Sequence, residues 1–222
     1  MAASCVLFSG GLDSAVLLAL ERRSHDPVWP VHVRAGLAWE DAERRAIDRL
    51  LAAPAFAGIA PLATITVDMR DVYPATHWAV TGTPPAYDTP DEDVYLDGRN
   101  IVLLSKAAVL CARLGVSRIA MGLLAGNPFP DATPAFFEAM TRALSLGLQR
   151  DLAIDTPLTS RHKEDVVQLG IALGVPLELS MSCMNPAGDR HCGACSKCRE
   201  RQDAFRIANV KDATEYVVRW TK

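Results

Sequence analysis

The chain has 222 residues, 50% of them apolar, and a formal net charge of -3. That supplies a sizeable core, while no run approaches the ~18 apolar residues of a membrane span. The small net charge gives no general electrostatic basis for binding nucleic acid. The N-terminus lacks the basic-then-apolar layout of a signal peptide, so a cytoplasmic protein is expected.

Cys5 to Phe8 predict a short buried strand, and Ala15 to Leu20 the apolar turns of a helix. Between them stands Ser9-Gly10-Gly11-Leu12-Asp13-Ser14. Where a strand ends and a helix begins, unpaired backbone N–H groups attract anions. The glycines let a phosphate approach the backbone, and the serines add hydroxyl donors. The lysine of a kinase-type phosphate loop is missing, and so is the dinucleotide pattern G-x-G-x-x-G. A plainer reading is a tight turn in which Asp13 and Ser14 cap the helix.

Val28 to Val33 predict a second strand. Glu40 to Leu51 predict a helix with Ala42, Ala46, Ile47, Leu50 and Leu51 at helical spacing. Ala63 to Val67 read as a third strand, and Tyr73 to Leu96 as a long loop, functional or mobile. A helix from Asn100 to Leu114 and a strand from Arg118 to Met121 follow. Pro134 to Leu146 predict a helix capped by Thr133, with proline at its first position. Arg161 to Leu173 predict another, stopped by Gly174 and Pro176, and Cys198 to Ala208 a last one. Alternating strands and helices predict an α/β fold, a doubly wound, mainly parallel sheet covered on both faces. Residues 1–176 form the nucleotide-type domain, and 177–222 a small C-terminal module packed as part of it.

Of the six cysteines, four stand as Cys183-x8-Cys192-x2-Cys195-x2-Cys198. Four thiolates at that spacing suit a closed tetrahedral zinc site. An iron–sulfur cluster would use the same ligands, and Cys192-Gly-Ala-Cys195 is also a redox-type spacing. Cys5 and Cys111 fall on predicted core faces. Trp39, Trp78 and Trp220 are read either as core packing or as an aromatic binding surface.

Ser-Gly-Gly-x-Asp-Ser directly after the first strand resembles the pyrophosphate loop of the N-type ATP pyrophosphatases. The resemblance extends to Gly98-Arg99-Asn100, Phe129-Pro130-Asp131, Pro134-x-Phe136, Thr156-Pro157-Leu158 with Lys163 downstream, Ser182-Cys183, and the cysteine run with its following Arg201. Together these are similar to the 7-cyano-7-deazaguanine synthase-like family. That resemblance implies an adenine nucleotide alpha hydrolase-like fold and a ligase using ATP, Mg²⁺ and Zn²⁺. Such a ligase adenylates a carboxylate and displaces AMP with ammonia. By position, Ser9, Gly10, Gly11, Leu12, Asp13 and Ser14 would grip the phosphates, with Asp13 placing Mg²⁺. Arg99 and Asn100 would lie near the nucleotide, Lys163 would reach a phosphate, and Asp131 would face the substrate or its metal. Cys183, Cys192, Cys195 and Cys198 would hold zinc. Relatives of this kind are often dimers.

Plainer roles stand beside these. Arg99 and Asn100 suit a helix cap, Lys163 a surface, and Asp131 a solvated loop. Two stretches depart from the family pattern. Val33 to Glu40 replaces a tyrosine–glycine–glutamine–arginine–histidine run, and Leu124 to Pro134 lacks the expected aspartate–tyrosine–serine–glycine and cysteine–arginine. Both fall near the expected acceptor pocket, which predicts a diverged relative acting on a deazapurine-like acid and giving an amide or nitrile. The other readings are a tRNA-thiolating ATPase, favoured by basic Arg190, Lys197, Arg199 and Arg201, and a non-catalytic ATP- and zinc-binding protein.

Overall fold

The computed structural model describes residues 1–219, so Trp220 lies outside the described residues. Five parallel strands form one sheet in the order β3-β2-β1-β4-β5. They are β1 (Ser4–Leu7), β2 (Val28–Arg34), β3 (Ala63–Thr66), β4 (Arg118–Ala120) and β5 (Ala153–Asp155). The helices are α1 (Leu12–Glu21), α2 (Glu40–Leu51), α3 (Trp78–Thr81), α4 (Arg99–Leu114), α5 (Pro134–Leu148), α6 (Lys163–Ala172) and α7 (Ser196–Ile207). No helix of the described residues is long and apolar enough to cross a membrane.

Side chains alternate across the sheet, so each strand feeds two cores. Val6 and Phe8 pack with α1, α6 and α7 through Leu17, Val166 and Phe205. Cys5 and Val31 pack with α4 and α5 through Leu104, Cys111 and Phe137. Cys5 and Cys111 are both buried there, as core packing predicts.

Three local expectations are corrected. Asp13 and Ser14 are not caps: α1 starts at Leu12 and its N-cap is Gly11, which is extended and carries no side-chain cap. The Tyr73 to Leu96 stretch is not featureless, because it contains α3 and a 3₁₀ turn at Asp91–Val94. β5 escaped the periodicity argument because three residues are too few to alternate visibly. Thr133 does cap α5, its hydroxyl accepting from the Phe136 N–H at 3.2 Å.

The C-terminal segment packs against the sheet domain around Arg201, which is 0% exposed. Its guanidinium donates to Thr214 Oγ1, Ser180 Oγ, Ser182 Oγ and the Leu177 carbonyl at 2.6–3.1 Å. A buried guanidinium persists only when its donors are used, and here the fork matches four oxygens from two segments, 177–182 and Thr214.

Gly10 fixes where the Ser9–Ser14 loop sits. Its φ is +77°, and a Cβ there would stand 2.9 Å from Ile47 Cγ1 and 3.0 Å from the Glu43 carbonyl. Gly10→Ala is expected to destabilise the fold by about 2 kcal/mol, from left-handed strain plus the clash with α2. Gly147→Ala, in α5 with open space around it, is expected to stabilise by about 0.5 kcal/mol. Urea midpoints of the two variants check both signs.

Candidate active site

β1 is followed in the sheet by β2 on one side and β4 on the other, so the chain's winding reverses between β1 and β4. Ligands of open parallel sheets bind at such a switch point, beyond the strands' carboxyl ends. The Ser9–Ser14 loop leaves β1 there. Gly122 follows β4, and a Cβ on it would stand 3.5 Å from the Ser14 nitrogen. A cleft of about 360 Å³ opens at this point, within the range of small-molecule sites.

The Ser9–Ser14 loop is held from within. Ser14 Oγ donates to the Gly11 carbonyl at 3.0 Å and lies 3.3 Å from Ser9 Oγ, while the Met181 N–H donates to the Gly10 carbonyl at 2.8 Å. Ser9, Gly11, Leu12, Asp13 and Ser14 line the cleft. Because Gly11 offers no side-chain cap, the first N–H groups of α1 have no such partner and the positive end of the helix dipole lies at the cleft.

Lys163 stands at the first position of α6, behind a cap formed by His162 with Asp165. Its ammonium lies 2.6 Å from Asp13 Oδ2 and 3.2 Å from Glu200 Oε1. Burial opposes the Lys163 charge, but the two carboxylates outweigh it and hold the pKa above the ordinary lysine value. Burial alone would raise Glu200, yet Lys163 and Lys197, the latter at 2.8 Å, bring it down to about 2. Lys163 is therefore an internal cation rather than a surface one. Glu200 escaped the sequence reading because nothing in its local pattern separates it from the charged face of α7.

Arg99 opens α4 and lines the cleft, its Nε buried without a hydrogen-bond partner. Asn100 is buried just behind it. The Asn100 N–H donates to Asp131 Oδ2 at 3.0 Å, and Asn100 Nδ2 donates to the Asp131 carbonyl at 2.9 Å. Asp131 is 5% exposed and does not line the cleft. In this structure its carboxylate faces the start of α4, neither solvent nor a ligand.

The four cysteine sulfurs all lie within 4.8 Å of one another, and Cys198 Sγ is 3.5 Å from Cys195 Sγ and 3.9 Å from Cys192 Sγ. A tetrahedron of ~2.3 Å zinc–sulfur bonds sets sulfurs about 3.8 Å apart. Backbone N–H groups of Asn185 and Cys192 donate to Cys183 Sγ, that of Gly193 to Cys198 Sγ and that of Ala194 to Cys192 Sγ. Such donors stabilise thiolates. The donor set is consistent with structural zinc and leaves no ligand position open.

This module also builds a wall of the cleft. Arg199 donates to the Tyr87 and Thr89 carbonyls at 2.7 and 3.0 Å, and Ala86 bridges to Cys195. The segment leading to Asp91, Val94 and Leu96 is thus pinned to α7. The basic face expected of an RNA-binding module does not form. Arg201 is buried, and Lys197 and Arg199 are partly buried in internal pairs, leaving Arg190 exposed. Cys5 and Cys111 are core residues, so no exposed cysteine outside the cluster serves thiolation among the described residues.

Glu43 is a second residue that the sequence reading missed. It lies on the inward face of α2, 8% exposed, and lines the cleft. Burial pushes its carboxyl up to about 8, against the opposing pull of Arg99, with Glu40 adding to the rise. An amphipathic helix with acids at most polar positions gives no sequence sign of which one is buried. Trp39, one turn earlier, stacks on Trp78 with ring centroids 5.7 Å apart, so the two indoles form a packed wall.

A family model described as "Queuosine biosynthesis protein QueC" matches residues 3–209. The chain is 35% identical to a 7-cyano-7-deazaguanine synthase of Methanothrix thermoacetophila, covering 97% of this chain and 99% of that protein. It is 35% identical to one of Methanopyrus kandleri, covering 98% and 100%. Among solved structures, a 4-thiouridine synthetase–RNA complex with bound ATP aligns with TM-score 0.51 at 16% identity, over 94% of this chain and 51% of that one. The U34-tRNA thiolase NcsA of Methanococcus maripaludis, with its [4Fe-4S] cluster, aligns at TM-score 0.50 and 13% identity, over 95% and 74%. These two likenesses establish the adenine nucleotide alpha hydrolase-like fold.

Two measurements follow from this geometry. Glu43 binds more protons in the native state than unfolded between pH 4.5 and about 8, so wild-type stability falls as pH rises through that window. Glu43→Gln is expected to remove this slope, gaining on wild type between pH 5 and pH 8 in urea unfolding, and parallel curves would contradict the burial. Elemental analysis is expected to find one zinc per chain. Cys195→Ser should abolish it and expose the 86–91 segment to limited proteolysis.

Proposed function

The chain belongs to the QueC queuosine-biosynthesis family, and we propose that it is an ATP-dependent ligase that adenylates the carboxylate of a 7-deazaguanine-type acid and displaces AMP with ammonia. The observation that carries this reading is the pairing of an uncapped α1 N-terminus at Ser9–Ser14 with a buried cation, Lys163, beside Asp13. Residues 1–176 act as the ATP unit, and 177–222 as the extension that completes its cleft.

In this reading Ser9, Gly10, Gly11, Leu12, Asp13 and Ser14 cradle the pyrophosphate through backbone N–H groups and two hydroxyls. Asp13 would hold Mg²⁺, which when bound neutralises phosphate charge. The substrate carboxylate oxygen attacks the α-phosphorus in line and pyrophosphate leaves, its growing charge met by Lys163 and the α1 dipole. Ammonia then attacks the acyl carbon, AMP departs, and a proton is lost to solvent. A second ATP adenylates the amide oxygen with release of pyrophosphate, and departure of AMP with loss of both N–H protons then gives the nitrile. Arg99 and Asn100 lie on the nucleotide side, with Asp131 keeping Asn100 and the start of α4 in register. Asp13 cannot hold both Mg²⁺ and the whole charge of Lys163, so Glu200 keeps Lys163 in place when ATP enters.

Incubation of the zinc-loaded protein with Mg²⁺-ATP, ammonium and 7-carboxy-7-deazaguanine is expected to give AMP, pyrophosphate and the nitrile by mass spectrometry. Amide without nitrile would mark an enzyme that stops halfway, and absence of AMP would favour a non-catalytic binder. Glu200→Gln is expected to lower kcat/KM for ATP about tenfold with zinc content unchanged, as loss of one charged hydrogen bond predicts.

A further inference from the structure

Five charged side chains that line the cleft form one row: Asp13, Lys163, Glu200, Lys197 and Asp91. Lys163 lies 2.6 Å from Asp13 and 3.2 Å from Glu200, and Lys197 lies 2.8 Å from Glu200 and 4.0 Å from Asp91. The signs alternate, so each inner residue is shared between two neighbours. Both ends are unsatisfied: Asp13 Oδ1 and Asp91 Oδ1 are buried without a hydrogen-bond partner among the described residues. Such oxygens cost free energy until a donor reaches them.

The row joins parts of different freedom. Asp13, Lys163, Glu200 and Lys197 sit on the helices α1, α6 and α7. Asp91 opens a 3₁₀ turn within residues 83–97, a strap bounded by Gly82 and Gly98, whose φ values are +76° and +70°. Arg199 holds the strap by the carbonyls of Tyr87 and Thr89, and its guanidinium stands 3.8 Å from Asp91. Asp91 Oδ1 therefore faces two cations and is within hydrogen-bond distance of neither.

The sharing gives the row a direction. In the ATP reading Asp13 turns to the bound Mg²⁺, which leaves Glu200 as the carboxylate that holds Lys163. A carboxylate drawn toward one ammonium gives less to the other, so Lys197 turns to Asp91. Closing their gap to the ~2.8 Å of a charge-assisted hydrogen bond takes about 1 Å of movement.

We propose that Lys197 is a positioning residue that couples the two ends of the row: when a nucleotide's phosphates fill the Ser9–Ser14 loop, it shifts from Glu200 toward Asp91 and draws the strap closed over the cleft. The inference rests on the ATP reading above and adds how the far wall of the cleft responds to binding.

Hydrogen exchange of the amides between residues 86 and 95 reads the strap directly. The zinc-loaded protein is compared alone and with saturating Mg²⁺ and α,β-methylene-ATP, a nucleotide that cannot be adenylyl-transferred, while calorimetry measures its binding. The wild-type amides are expected to exchange about tenfold more slowly with the nucleotide, as one added charged hydrogen bond predicts. Lys197→Met and Asp91→Ala should each lose this protection, and nucleotide affinity should fall by a similar factor because closure and binding are linked. Zinc content and exchange without nucleotide should match wild type, which a merely structural role for Lys197 would not allow. Lys197→Arg should restore the protection. Protection that survives Lys197→Met, or exchange that quickens on binding, overturns the proposal. Binding with no change in the strap overturns it too and leaves the ATP reading intact. Failure of the wild type to bind the nucleotide overturns both.

Discussion

Lys163 joins Asp13 of the Ser9–Ser14 loop to Glu200 of α7, the helix that carries the last cysteine of the cluster, 2.6 Å from one and 3.2 Å from the other. These residues are far apart in sequence and meet beside the cleft. A cation in so dry a place would be unstable alone, and each carboxylate would be unstable without it. Removing one partner of a buried pair leaves an uncompensated charge, which costs more than the pair itself contributes. The position of α6 against α7, and of both against α1, is therefore locked beside the cleft. The fold and the site share this constraint.

The cysteine module is a wall of the cleft rather than an ornament of the C-terminus. Arg199, directly after Cys198, pins the segment that brings Asp91, Val94 and Leu96 to the cleft. Arg201, two residues on, bonds the chain between α6 and the first cysteine. A metal held by the four cysteines would fix the start of α7, because it would hold four backbone points in one geometry. Its basic residues are consumed by this internal work, which is why a charged sequence yields no charged face.

The site is legible in the sequence where its chemistry is local. Ser9 to Ser14 advertise a phosphate loop because glycines, serines and a strand-to-helix junction coincide within six residues. The four cysteines do the same through their spacing. Glu43 and Glu200 are illegible for the same reason in reverse. Each is one acid among several on a helix, and its role depends on a partner or a burial that arises only when the helix docks. Asp131 shows the opposite limit: the family resemblance implies a ligand-facing acid and its loop setting a solvated one, whereas its carboxylate is buried and accepts from the Asn100 N–H.

By itself the sequence determined the alternation of strand and helix, hence a parallel doubly wound sheet, the anion-binding turn after β1 and a four-thiolate cluster. These follow from periodicity, backbone freedom and ligand type, all of which act over a few residues. Tertiary structure decided which charges are buried and against what. It made Lys163 an internal cation, buried Glu43 against Trp39 at the cleft and turned Arg199 and Arg201 of the last module inward. Burial and pairing are properties of packed surfaces, and no stretch of chain carries them until its neighbours arrive.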